Sequence, residues 1–81
     1  MFDFSKLIGR IIEKYGTRAA FAAALGYSEP SLSYRLNNRI PFDIEEIYNI
    51  CLPEHLDIAA QDIPVYFFTP KSSINRTVKG E

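Results

Sequence analysis

The sequence predicts an all-α domain of four or five short helices. Three observations carry that expectation. Apolar residues recur with a helical period over positions 4–15, five alanines crowd positions 19–24, and Ser, Thr, Asp, Gly and Pro fall at the ends of the periodic stretches, where caps and stops belong.

The first helix carries Phe4, Leu7, Ile8, Ile11, Ile12 and Tyr15 as one apolar stripe, with Asp3 as its cap and Gly16 as its stop. Thr17 caps the second helix, whose inward residues are Phe21 and Leu25. Its alanines favour helix and keep it thin. Gly26 then falls where a left-handed residue is wanted, and Tyr27 is expected to plug the turn into the core.

Ser28 caps the third helix, Pro30 sits in its first turn, and Leu32 and Leu36 point inward one turn apart. Asn37, Asn38 and Arg39 end it, and Ile40-Pro41 imposes an extended link. Asp43 caps a fourth helix, with Glu45 and Glu46 near its positive end and Ile44, Ile47, Tyr48 and Cys51 as the expected buried stripe. Residues 61–68, QDIPVYFF, fit a short fifth helix or a strand, and the helix is favoured by Ile63, Tyr66 and Phe67 at i, i+3 and i+4. The aromatics Tyr66, Phe67 and Phe68 cannot all point inward from one short helix. The expected domain is therefore 1–68, with 69–81 a polar, flexible arm.

Eighty-one residues hold one core, and the apolar content of 47% suffices for it. No apolar run approaches the 18 or so residues of a membrane span and no signal-peptide pattern is present, so a soluble, cytoplasmic chain is expected. The single Cys51 excludes an internal disulfide, and with only His55 beside it there is no zinc set. Ser28, Ser31 and Ser33 have no accompanying base, and the acidic residues lack the spacing of a calcium loop. The expectation is a binding protein without cofactor or metal, not an enzyme.

Charge is unevenly placed. The net charge is −1. Residues 1–41 carry Lys6, Arg10, Lys14, Arg18, Arg35 and Arg39 against Asp3, Glu13 and Glu29. Residues 42–68 carry Asp43, Glu45, Glu46, Glu54, Asp57 and Asp62 and no Lys or Arg. The tail is basic through Lys71, Arg76 and Lys79 against Glu81. A basic half beside an acidic half suits a protein with one nucleic-acid-facing side, and equally two solvated faces.

Residues 17–38 combine these features into a helix-turn-helix: small Ala22 where the helices touch, Gly26 four residues on, and Leu32 and Leu36 on the second helix. The alternative for these residues is an ordinary helical hairpin in a small bundle. Through GTRAAFAAALGYSEPSLSYRLNN, FDIEEI and DIPVYFF, over about residues 4–68, the chain resembles the lambda-type repressor and Cro helix-turn-helix family, closest to small Cro-like regulators of Gram-positive prophages.

That resemblance implies a lambda repressor-like DNA-binding domain, a homodimer on a two-fold operator, and a regulator that blocks transcription. It places Glu29, Pro30, Ser33 and Tyr34 against base edges, and Thr17, Arg18, Ser28, Arg35, Asn37, Asn38 and Arg39 against phosphates. Family members commonly start both helices with glutamine. This chain has Arg18 and Glu29 there, which puts the operator sequence in question. A second hypothesis keeps the fold but assigns the acidic half to binding another repressor protein.

Overall fold

The structure is a computed structural model and describes residues 1–71. Apart from one isolated antiparallel bridge between Phe2 and Pro70, its regular elements are helical: α1 Ser5–Tyr15, α2 Arg18–Leu25, α3 Glu29–Leu36, α4 Ile44–Cys51 and α5 Ile63–Phe67, the last entered through a single 3₁₀ turn, Ala60–Asp62. The helical alternative for residues 61–68 is thus the one formed. The arm expected over 69–81 lies, from residue 72 on, outside the described residues.

The helix ends follow local chemistry. Asp3 Oδ1 accepts from the Ser5 N–H at 2.9 Å, so the expected cap works one residue ahead of the first helical turn. Gly16 stops α1 at φ +83°. Thr17 Oγ1 accepts from the Ala20 N–H at 3.0 Å and Ser28 Oγ from the Ser31 N–H at 3.3 Å. Gly26 takes φ +79°, and a Cβ built there meets nothing within 4 Å. The turn therefore needs glycine for its dihedral angle and not for room. At α4, Asp43 Oδ1 accepts from the Glu46 N–H at 2.7 Å while Glu46 Oε1 accepts from the Asp43 N–H at 2.9 Å, a reciprocal capping box.

One core joins all five helices. Leu7 and Ile11 come from α1, Phe21 and Ala22 from α2, Leu32 and Leu36 from α3, Ile47 and Ile50 from α4, and Phe67 from α5. Phe42, in the link before α4, stands edge-on to both Phe4 and Phe67 with ring centroids 5.4 Å apart in each pair. The ends of the described chain meet, with the Asp3 N–H donating to the Thr69 carbonyl at 2.7 Å.

Two expected stripes are corrected. Ile12 lies 45% exposed at the edge of the α1 stripe. On α4 the phase is wrong: Ile44 is 84% and Tyr48 68% exposed, whereas Ile50, absent from the expected stripe, is 1% exposed. An α-helix turns by about 100° per residue. Ile44 and Tyr48 each stand two positions from Glu46, so both lie roughly opposite it. Glu46 is drawn inward to Arg35 and Tyr27, and that rolls Ile44 and Tyr48 out to solvent. Of the three adjacent aromatics, Phe67 is buried, Tyr66 half-buried and Phe68 exposed.

Candidate interaction surfaces

The turn at Gly26 sets α2 and α3 against each other, and α3 presents Glu29, Pro30 and Tyr34 to solvent, with Ser33 half-buried. The residues expected at base edges thus share one side of one helix. Those expected at phosphates do not form a comparable set.

Arg35 is engaged within the domain. Its Nε donates to Glu46 Oε2 at 3.0 Å, its Nη2 lies 2.8 Å from the same oxygen, and its Nη1 donates to the Ser31 carbonyl at 2.9 Å and to Ser31 Oγ at 2.8 Å. The guanidinium also stacks over Tyr27, 4.8 Å from the ring centroid. Asn38 adopts φ +64° and clamps the N-terminal segment, its Oδ1 accepting from the Phe2 N–H and its Nδ2 donating to the Phe2 carbonyl, both at 3.0 Å. Thr17 and Ser28 have their oxygens occupied in capping, which leaves each hydroxyl proton to offer outward. Asn37 Nδ2 donates to Ser33 Oγ at 3.2 Å. Arg18 and Arg39 make no ion pair among the described residues, although Arg39 lies 5.9 Å from the Tyr34 ring centroid. Arg35 and Asn38 thus both have partners within the domain.

The Arg35–Glu46–Tyr27 cluster is the strongest electrostatic feature. Burial alone would raise the Glu46 carboxyl. Hydrogen bonds from Arg35, from the Asp43 N–H and from Tyr27, together with the Arg35 charge, outweigh it and hold the carboxyl below its ordinary value. Tyr27, desolvated and donating to Glu46 at 2.7 Å, is pushed up to about 12. The spacing Asp43-x-x-Glu46 announces the capping box in the sequence. Nothing local announces the pairing with Arg35, eleven residues upstream.

On the other side of α4, Ile44 and Tyr48 lead toward a shallow groove lined by Cys51, Leu52, Pro53, Ile58 and Ile63. Burial raises the half-exposed Cys51 thiol above its usual value, which leaves it a poor nucleophile. His55 is held by the Asn49 carbonyl, 2.7 Å from Nδ1. A second, more enclosed cavity of about 280 Å³ opens between the N-terminal segment, the link after α3, and α5, with Phe2, Phe4, Ile40, Phe42 and Phe68 among its lining residues. Among the described residues no cluster of His, Cys, Asp or Glu could hold a metal ion, and no helix is long and apolar enough to cross a membrane.

The model of a family described as "Protein of unknown function (DUF739)" matches residues 1–70. Among solved structures, the chain is similar to the solution structure of the modulator of repression (MOR) of the temperate bacteriophage TP901-1 from Lactococcus lactis. The identity is 42% and the TM-score 0.73, covering 83% of this chain and 88% of that one. No curated protein matches. These findings correct the resemblance to the lambda-type repressor and Cro family. Ala22, Gly26, Leu32 and Leu36 meet the packing needs of any two helices joined by this turn, and so do not separate one helix-turn-helix family from another.

Proposed function

The chain belongs to the DUF739 family, and from that premise we propose that it is a phage or prophage modulator of repression that acts by binding a repressor protein. The observation that carries this reading is the similarity to the TP901-1 modulator of repression over most of both chains. Two features of this chain support it. Arg35, one of the expected phosphate contacts, is turned inward to Glu46, and Asn38 is fastened to Phe2. The segment 42–68, one side of which lies exposed on α4, shows five exposed carboxylates, Asp43, Glu45, Glu54, Asp57 and Asp62, and no Lys or Arg of its own, a surface that repels phosphate.

The protein is then a binding module and not an enzyme, and it works where the repressor works, in the cytoplasm. An operator-binding homodimer has less behind it, because the helix-turn-helix retains only Arg18 and Arg39 as cations without an internal ion pair. The test is a paired titration of the purified chain against the repressor encoded by the same phage or prophage, and against the intergenic DNA between their genes. The reading expects saturable binding to the repressor, DNA binding no better than to scrambled sequence, and an Arg18→Ala/Arg39→Ala variant that keeps the repressor. Operator binding that this double variant abolishes, with no affinity for the repressor, would overturn it.

A further inference from the structure

We infer that the outer flank of α4 is the docking surface, and that its occupant is a protein surface with an apolar centre ringed by Lys and Arg. This rests on the repressor-binding reading above and adds the surface to it. Ile44 and Tyr48 lie one turn apart on a single flank of α4, 84% and 68% exposed, and none of the other described elements covers them. Large apolar side chains this exposed and adjacent on one helix mark an interaction patch rather than ordinary surface scatter. The patch continues into the groove at the C-terminal end of α4, where Tyr48 is joined by Cys51, Pro53, Ile58 and Ile63.

Charge decides the kind of occupant. Each exposed carboxylate of this region neighbours a patch residue in the chain: Asp43 and Glu45 flank Ile44, Glu54 follows Pro53, Asp57 precedes Ile58, and Asp62 precedes Ile63. No Lys or Arg occurs in residues 42–68, and Arg10 of α1, whose guanidinium reaches the Leu56 and Asp57 carbonyls, is itself paired with Glu13. An apolar centre with an acidic rim is complementary to an apolar centre with a basic rim. A repressor carries Lys and Arg for phosphate contact and so can supply that rim. A second copy of this chain, docked by the same flank about a two-fold axis, would bring Glu45 and its neighbours against their own copies, a like-charge arrangement that disfavours self-association.

The experiment uses the full chain and the repressor from the same element, by calorimetric titration at low and at physiological salt. Ile44→Ser/Tyr48→Ser is compared with Glu29→Ala/Tyr34→Ala on the exposed side of α3, after thermal melts show that both variants fold. The α4 variant is expected to lose about a hundredfold in affinity, as centrally placed anchors do, with the α3 variant close to wild type. Wild-type affinity is expected to weaken as salt rises. An α4 variant that binds like wild type overturns the surface and leaves the repressor-binding reading standing. A wild-type chain that fails to bind the repressor overturns that reading, and the surface with it. A stable wild-type dimer that Ile44→Ser/Tyr48→Ser dissociates assigns the flank to a second copy and overturns the proposed occupant.

Discussion

Arg35 Nη2 lies 2.8 Å from Glu46 Oε2, with both side chains only 15% exposed, and this pair fixes how α4 is rotated against the helix-turn-helix. Glu46 also caps its own helix and accepts from Tyr27, so one carboxylate ties together α3, the turn after α2, and the start of α4. Removing it strands a half-buried guanidinium, a tyrosine hydroxyl and a cap. Glu46→Ala is therefore expected to cost about 2–4 kcal/mol in chemical denaturation, nearer the buried than the exposed range for ion pairs. A double-mutant cycle with Arg35→Ala should return a coupling above about 0.5 kcal/mol; an additive result would show that the pair is incidental.

The same cluster gives stability a pH dependence of known sign. Glu46 is held below its ordinary carboxylate pKa in the fold. Its contribution is present above the unfolded-state value and is lost as pH falls through the folded one. Tyr27 is raised to about 12, so its contribution is full below its unfolded-state value of about 10 and is lost as pH climbs from there toward the folded value. Urea midpoints measured across pH should fall at both ends. Glu46→Gln should flatten the acid limb, and Tyr27→Phe the alkaline one. Unchanged limbs in both variants would remove the cluster as their source.

How much of this was legible in the sequence divides by distance along the chain. Thr17, Ser28 and Asp43 act on N–H groups three residues on, and Gly26 on its own dihedral, so residue type and position sufficed to place them. The phase of α4 did not yield in the same way. Ile44, Ile47, Tyr48 and Cys51 form as good a helical stripe as Ile47, Ile50 and Cys51, and periodicity has no means of choosing. The choice comes from Glu46 reaching back to Arg35, a contact between elements. The family was hidden for a related reason, since the turn chemistry common to many helix-turn-helix proteins says how two helices meet and not which family they belong to.

Gly26 offers a clean test of the turn. At φ +79° an alanine is strained although its Cβ has room, so Gly26→Ala is expected to cost about 1–2 kcal/mol, and Gly26→Asn less. Thermal denaturation of the two variants should rank them in that order. Equal stability with wild type would mean that the turn relaxes to another conformation.

Asn38 combines a positive φ with a two-point hold on Phe2, and substitution separates the two contributions. Glycine keeps the dihedral angle and loses both hydrogen bonds; alanine loses both the bonds and the easy access to φ +64°. Asn38→Gly is thus expected to cost about 1 kcal/mol from the lost bonds, and Asn38→Ala about 1 kcal/mol more. Because Phe2 packs edge-on to Phe68 at 5.7 Å, loosening the clamp should also speed amide exchange at Asp3, whose N–H is held by Thr69. Exchange at Asp3 that stays at the wild-type rate in Asn38→Gly would assign the N-terminal segment's anchorage to Thr69 and the Phe2–Phe68 contact alone.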